Sequence, residues 1–404
     1  MILSEELTWR GFVNQTTFDD ITAIDKEPLT FYFGVDPSSD SMQIGNLGAA
    51  MMVRHFINHG HKAILLVGGA TGMIGDPDGK KDERNLKSIE EIEKNKAKIA
   101  AQYQQVFAGM PFDIVDNYDW FKDINYLSFL RDVGKHVPLS QMLGRDFIQA
   151  RLGEGGSGIS YAEFSYSLIQ GYDFLHLFRT KGATLQLAGA DQWGNSVSGV
   201  QLIRKLESAE AHVWTTPLII NKTTGRKFGK TEEGAVWLDS TKTSVYKFYQ
   251  FWLNVDDEGA GDYLKLYTLL NKEQIDDLIQ MQLHNPGARD IQKTLAYEVT
   301  KLVHGEVAAE SAKKVTEVLF GSAEFDKLGN DDIELLAQEI PVLALGQSVV
   351  DSLVASGIAV SKGDARRLLS GGGVTLNGRK VSDDRIVSST TLIKKGKNNF
   401  LLVR

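Results

Sequence analysis

Apolar positions along the chain fall into alternating strand-like and helix-like runs. Phe31, Tyr32, Phe33 and Val35 form an aromatic and β-branched run that predicts a buried strand. The run breaks at Asp36-Pro37 and crosses a Ser/Asp-rich turn. Apolar order resumes at Ile44, which predicts a helix. A second strand is predicted from Lys62, ending in a Gly-rich stretch that reaches Asp76. Strand, helix, strand is a βαβ unit, hence a parallel sheet and a doubly wound α/β core. Ligands of such sheets bind beyond the carboxyl ends of the strands. The first turn also meets a helix N-terminus, whose free N–H groups and dipole attract an anion, so a nucleotide phosphate is a candidate there.

Further along, the pattern predicts a charged amphipathic helix from Ile89 to about Phe107 and a short strand at 113–116. Helix is predicted from Tyr118 to Gly134 and from Ser140 to Leu152, then a loop at 154–158. A helix follows from Tyr161. A strand from Thr184 ends in another Gly/Asp turn at Asp191 and Gln192, and a strand is predicted at 217–220. Residues 244–320 read as helical, with a break at Asn285-Pro286-Gly287. Residues 326–342 are acidic without a clear core pattern and read as a linker. The last segment predicts a Ser361-capped basic helix and a hairpin turning at Asn377-Gly378.

Composition narrows the chemistry. The chain has no cysteine, which excludes disulfides, thiolate zinc sites and a cysteine nucleophile, and fits a reducing cytoplasm. Glu5 and Glu6 stand where a secretory signal would be basic and then apolar, so none is expected. The longest apolar stretch, 63–74, is too short to span a bilayer. The net charge is −8, but residues 341–404 hold ten Lys and Arg against four Asp and Glu, a balance of +6 that leaves −14 elsewhere. A basic tail on an acidic body points to local contact with nucleic acid.

Three polar sets are candidates for chemistry. Asp76 either touches a cation in the crevice or is simply a turn residue before proline. Tyr166, Gln170 and Asp173 lie at i, i+4 and i+7, on one helix face. That face meets water or lines a pocket, and the surrounding Phe164, Leu168, Ile169, Phe174 and Leu175 suit a pocket wall. Lys227 and Lys230 in a glycine-interrupted loop form either a mobile cationic clamp or a solvated charge run.

Taken together and in order, these residues resemble the bacterial tyrosyl-tRNA synthetases, which are class I aminoacyl-tRNA synthetases. Gln43-Ile44-Gly45-Asn46 matches the His-Ile-Gly-His-like motif of the class, and Lys227-Phe228-Gly229-Lys230-Thr231 its late Lys-Met-Ser-Lys-Ser-like motif. The stretches 66–77, 164–173 and 191–194 match as well. The resemblance implies a Rossmann-like parallel-sheet catalytic domain over 1–241, with an inserted dimerisation segment at about 118–160. It also implies an α-helical tRNA-binding domain over 242–325. After the 326–342 linker comes a small α+β module over 343–404, similar to the alpha-L RNA-binding module.

The implied activity joins L-tyrosine to ATP, giving tyrosyl-adenylate and pyrophosphate, and then passes the tyrosyl group to tRNA(Tyr). By resemblance, Tyr32 and Asp173 bond the phenol, and Asp76, Tyr166 and Gln170 hold the α-ammonium, with Gln192 near the carboxylate. Gly34, Asp36, Gln43, Gly45, Asn46, Asp191 and Lys230 face ATP. Gln43, Asn46, Lys227, Lys230 and Thr231 act on the transferring phosphoryl. Lys362, Arg366 and Arg367 face RNA phosphates. Magnesium is expected to arrive with ATP, with no tightly bound metal site in the protein, and the family is homodimeric. Two departures stand out. Gln43 replaces the usual first histidine, and Phe33 occupies a position often held by cysteine. A tryptophanyl enzyme, or an RNA-binding protein that kept the fold and lost activation, are the competing readings.

Overall fold

In a computed structural model, the described backbone covers residues 1–77, 86–144, 146–153, 155–231 and 234–404; at Gln141, Asp146, Phe147, Lys230 and Thr231 the backbone alone is described. The chain forms two compact units, 1–243 with 255–295, and 244–254 with 296–404.

The first unit is built on a six-stranded sheet. Its strands are β1 (Gln15–Thr16), β2 (Thr30–Val35), β3 (Lys62–Val67), β4 (Phe112–Asp116), β5 (Leu185–Gly189) and β6 (His212–Thr216), in the order β1-β6-β5-β2-β3-β4. All neighbours are parallel except β1, which runs against β6. Phe31, Tyr32 and Phe33 are buried, as are Ala63 to Val67. Strands covered on both faces need such continuous apolar runs, which is why the pattern was legible. Chain order reverses between β2 and β5, and the crevice opens there, at the strands' carboxyl ends.

Helices Tyr161–Lys181 and Trp193–Glu207 pack side by side. A Cβ on Gly199 would come within 2.7 Å of the Phe174 Cβ, so glycine sets how closely the two approach. This contact holds the polar face of the first helix at the crevice.

Several elements depart from the sequence reading, each for a local reason. The Gly-rich stretch after β3 is a short helix, Gly69–Ile74. Its first N–H groups are capped from β4's far end: Gly69 donates to Asp116 Oδ1 (3.0 Å) and Ala70 to Asn117 Oδ1 (2.7 Å). No strand forms at 217–220, where only Ile220 makes an isolated bridge; the strand is His212–Thr216 and ends before Pro217, which has no N–H to continue the ladder. Helix predicted over 118–134 breaks into Tyr118–Phe121 and Tyr126–Asp132, with Asn125 capping the second. Leu139–Leu143 and Asp146–Leu152 are likewise separate. Glu154, at the start of the predicted 154–158 loop, lies outside the described residues.

In the second unit the predicted linker is structured. Asn330–Glu339 is a helix, and Leu336 is fully buried with Val315, Leu319 and Phe325, and with Leu392, Phe400 and Leu402 of the terminal strands. Ile333, Leu336 and Ile340 fall at helical spacing, hidden in the sequence among acidic neighbours. The terminal five-stranded sheet therefore shares a core with helices 306–320 and 330–339 rather than standing off on a tether. The hairpin between Val374–Leu376 and Arg379–Lys380 turns at Asn377 and Gly378, both at positive φ (47° and 83°), as expected. No helix among the described residues is long and apolar enough to cross a membrane.

Candidate active site

The crevice holds a buried polar chain that begins inside β2. Tyr32 is 2% exposed, and its hydroxyl has no hydrogen-bond partner among the described residues. Burial, and then the nearby Asp173, push the Tyr32 phenol well above its ordinary range. Asp173, on the 161–181 helix, is also 2% exposed, but it is anchored. Its carboxylate accepts from Asn117 Nδ2 (3.1 Å) and from the Trp120 indole N–H (3.0 Å). Burial raises the Asp173 carboxyl well above the usual carboxylate range; the two donors pull the other way, and Asp36 and Asp116 add to the rise.

From Asp173 the chain continues through Asn117 Nδ2, which also donates to Thr71 Oγ1 (3.1 Å). Thr71 donates to Asp36 Oδ1 (2.6 Å), and Tyr166 Oη donates to Asp36 Oδ2 (2.7 Å). Burial first, then the charges of Asp36 and Asp76, hold the Tyr166 phenol well above its ordinary range. The same negative field suits a cationic group. Asp76 accepts from Gln192 Nε2, and Gln192 Oε1 accepts from Asn195 Nδ2 (3.2 Å). Gln170 is half-buried one turn beyond Tyr166 on the same helix.

The other end of the crevice is backbone rather than side chain. Gly34, at the end of β2, and Gly45, in the first turn of helix Ile44–Asn58, are both exposed, and a Cβ on Gly45 would meet nothing within 4 Å. Gln43 caps this helix through the backbone. Its N–H donates to Asn46 Oδ1, and its carbonyl accepts from the Asn46 N–H (both 2.9 Å). The Asn46 amide oxygen is thereby committed to the cap, leaving the amide nitrogen as the donor it can offer a ligand.

The lysine loop packs against this same helix end. Ile44 N–H donates to the Val236 carbonyl (3.1 Å) and Leu238 N–H to the Met42 carbonyl (2.9 Å). Phe228 is buried and stacks on Tyr263 at 4.2 Å. Gly229 adopts φ +85°, and a Cβ there would lie 3.2 Å from the Ile44 Cβ. Glycine thus lets the loop backbone press on the helix N-terminus. Lys227 is exposed, and β7 (Lys230–Thr231) pairs with β8 (Gly234–Ala235) in a small hairpin. Asp191 is exposed in the 3-10 turn Ala190–Gln192 that follows β5.

The structure therefore gathers Asp36, Tyr166 and Asp173 into one bonded chain, with Tyr32 unpartnered beside Asp173 and the bonded pair Asp76 and Gln192 acting on Tyr166 through charge. Asp36, expected from the sequence to face ATP, bonds directly to Tyr166. Asn117, Trp120 and Thr71 were not anticipated. Asn117 had a signal, since it follows β4 at the same carboxyl edge; Trp120 had none. In the second unit, Lys362, Arg366 and Arg367 are exposed on helix Lys362–Ser370, with Lys362 bonded to Asp351 (2.7 Å) and Arg367 to Asp364 (3.3 Å). Among the described residues, no group of three or more His, Asp or Glu side chains is placed to hold a metal ion.

A doubly wound sheet with an acidic pocket beside an open helix N-terminus, closed by a lysine hairpin, has the architecture of a class I aminoacyl-tRNA synthetase. The model described as tRNA synthetases class I (W and Y) matches residues 25–321, and the chain belongs to that family. The SYY-like C-terminal domain of tyrosine–tRNA ligases matches residues 332–403. The chain is 43% identical to the tyrosine–tRNA ligase of Bacteroides fragilis over 424 residues, covering 99% of this chain and 98% of that one. It is 44% identical to the tyrosine–tRNA ligase of Geobacillus stearothermophilus over 422 residues, covering all of both chains. Among solved structures it resembles a C-terminally truncated mitochondrial tyrosyl-tRNA synthetase of Aspergillus nidulans. The TM-score is 0.72 at 28% identity, with 79% of this chain and 94% of that one covered.

An unpartnered hydroxyl at Tyr32 has a measurable consequence. Removing a paired buried hydroxyl costs about 0.5–1.5 kcal/mol, whereas an unpaired one already carries its desolvation penalty. Tyr32→Phe is therefore expected to leave the ligand-free protein equally or more stable in urea denaturation. A loss above about 1 kcal/mol would mean that the hydroxyl already has a partner.

Proposed function

We propose that the chain activates L-tyrosine with ATP to tyrosyl-adenylate, releases pyrophosphate, and transfers the tyrosyl group to the 3′ end of tRNA(Tyr). The observation that carries this reading is the buried, unpartnered Tyr32 hydroxyl beside the anchored Asp173. A phenol is both a hydrogen-bond donor and an acceptor, so it satisfies both residues at once. An indole N–H donates but does not accept, and a phenylalanine ring does neither. Phenylalanine would leave the buried Tyr32 hydroxyl unpaired, at about 1–3 kcal/mol, and would bring Asp173 no further donor.

Asp76, Tyr166 and Gln170 take the α-ammonium, with Asp36 bonded behind Tyr166. Gln192 lies near the substrate carboxylate. That carboxylate is ionised at neutral pH and attacks the α-phosphorus directly, so activation requires no general base. It requires alignment of two anions and stabilisation of negative charge as pyrophosphate leaves. Gly34, Gly45 and the 44–58 helix N-terminus face the nucleotide phosphates, and Asp191 faces the ribose. Gln43 and Asn46 offer hydrogen bonds. Lys227 and Lys230 supply positive charge from the hairpin, with Thr231 beside them. Magnesium enters with the ATP phosphates. The reaction belongs in the cytoplasm, where ATP and tRNA meet. Lys362, Arg366 and Arg367 contact tRNA phosphates, which position the RNA without reading its sequence.

Exposed apolar side chains concentrate in the 118–161 segment: Tyr118, Tyr126, Leu127, Leu139, Leu152 and Tyr161. This concentration supports a homodimer through that face. Sedimentation equilibrium is expected to give twice the chain mass for the wild type and a monomer for Leu127→Glu; a monomeric wild type would contradict the dimer.

Pyrophosphate exchange into ATP, run separately with tyrosine, tryptophan and phenylalanine, tests the activity. Exchange is expected with tyrosine. Asp173→Ala is expected to lose the preference for tyrosine over phenylalanine. No exchange with any amino acid would favour a binding-only protein, and an Asp173→Ala variant that still strongly preferred tyrosine would refute the pocket assignment.

A further inference from the structure

The turn from Pro37 to Met42 joins β2 to the helix that faces ATP, and its local bonds are few: Ser38 N–H to the Asp36 carbonyl (2.8 Å) and Ser41 Oγ to the Met42 carbonyl (2.9 Å). A neighbouring helix adds more. On helix Ile89–Val106, Asn95, Lys98 and Gln102 are spaced i, i+3 and i+7, so they share one face. Asn95 Nδ2 donates to the Pro37 carbonyl (3.0 Å). Lys98 Nζ bonds Asp40 (2.9 Å) and Asp239 (3.3 Å). Gln102 grips the end of the turn twice: its Oε1 accepts from the Met42 N–H (2.7 Å), and its Nε2 donates to Ser41 Oγ (2.8 Å). Ser41 Oγ also accepts from the Asp239 N–H (3.1 Å), and Lys242 bonds Asp40.

These bonds tie three parts together. The turn leads directly into Gln43 and the exposed Gly45. Asp239 lies just past Val236 and Leu238, the segment that bonds Ile44 and Met42 through an isolated bridge next to the lysine hairpin. Asn95 and Gln102 are buried, at 3% and 8% exposure. Buried amides pointed at backbone groups are costly unless those groups stay where they are. Lys242 first, and then Lys98, hold the Asp40 carboxyl down to about 2, so the clasp is charged across the neutral range.

We propose that Asn95, Lys98 and Gln102 are positioning residues for the activation step, fixing the helix N-terminus and the segment next to the lysine hairpin in one register for ATP while leaving the tyrosine pocket alone. None of the three reaches the pocket of Tyr32, Asp36, Asp76, Tyr166 and Asp173. The proposal rests on the reading of the crevice as a tyrosine-activating site.

Lys98→Ala and Gln102→Leu test it in the full chain, with two independent readouts. The first is pyrophosphate exchange, with KM for ATP, KM for tyrosine and kcat measured separately. ATP use is expected to weaken about three- to tenfold for each lost bond, with the KM for tyrosine within twofold of wild type and Lys98→Arg restoring most of the loss. The second is amide hydrogen exchange of the ligand-free protein at Met42 and Asp239. It is expected to quicken by about the same factor in Gln102→Leu, while amides of β2 keep their protection. Unchanged ATP parameters, or equal losses for ATP and tyrosine, would overturn the proposal. Unchanged protection of Met42 would overturn it without reference to activity. Were the wild type to show no tyrosine-dependent exchange, the activity reading would fail, and with it the positioning role; the hydrogen-exchange result would then report only whether the clasp holds the turn. Should Gln102→Leu fold poorly, the half-exposed Lys98→Ala decides the question alone.

Discussion

A carboxyl buried deep in the first unit has to be satisfied, and much of the site follows from how Asp173 is satisfied. Its donors, Asn117 and Trp120, come from just beyond β4. Asn117 passes the network to Thr71, Thr71 to Asp36, and Asp36 accepts from Tyr166 on the helix that carries Asp173. One closed circuit thus joins the carboxyl ends of β2, β3 and β4 to the 161–181 helix. Every polar atom along this circuit except the Tyr32 hydroxyl finds a partner inside the protein. That exception is what carries the proposal that a phenol completes the pocket.

The end of the crevice at the 44–58 helix is built by different means. It presents the backbone N–H groups of a helix start, and the loop that carries Lys227 and Phe228 presses against that start through Gly229. The pocket end is rigid because it is bonded and buried. The helix end is held by its frame: the Asn46 cap from within, the segment 236–238 on one side, and the polar face of helix 89–106 on the other. Gln43 stands at the junction with its backbone committed to the cap and to strand pairing. Its side chain is the part open to chemistry, and an amide there donates a hydrogen bond but carries no charge where the family usually has an imidazole.

The sequence made some of this plain and hid the rest, and the division is physical. Strands buried on both faces write continuous apolar runs, so β2 and β3 were evident. Tyr166 and Asp173 could be placed on one face because helical spacing is local. The donors to Asp173 were not visible, because they lie 56 and 53 positions away and only the sheet brings them near. The Gly69–Ile74 helix was missed because its caps, Asp116 and Asn117, come from another strand. At 326–342, acidic residues on the outer face of a helix masked the buried stripe of Ile333, Leu336 and Ile340. Charge was informative at the C-terminus, where Lys362, Arg366 and Arg367 are exposed together, although two of them are partly engaged by Asp351 and Asp364.

The central claim is that the free pocket already discriminates a phenol before any chemistry occurs. Calorimetric titration of the protein with L-tyrosine and with L-phenylalanine, in the absence of ATP, tests this directly. Tyrosine is expected to bind about thirtyfold more tightly, because the buried Tyr32 hydroxyl goes unpaired with phenylalanine, at about 2 kcal/mol. Comparable affinities for the two amino acids would contradict the account.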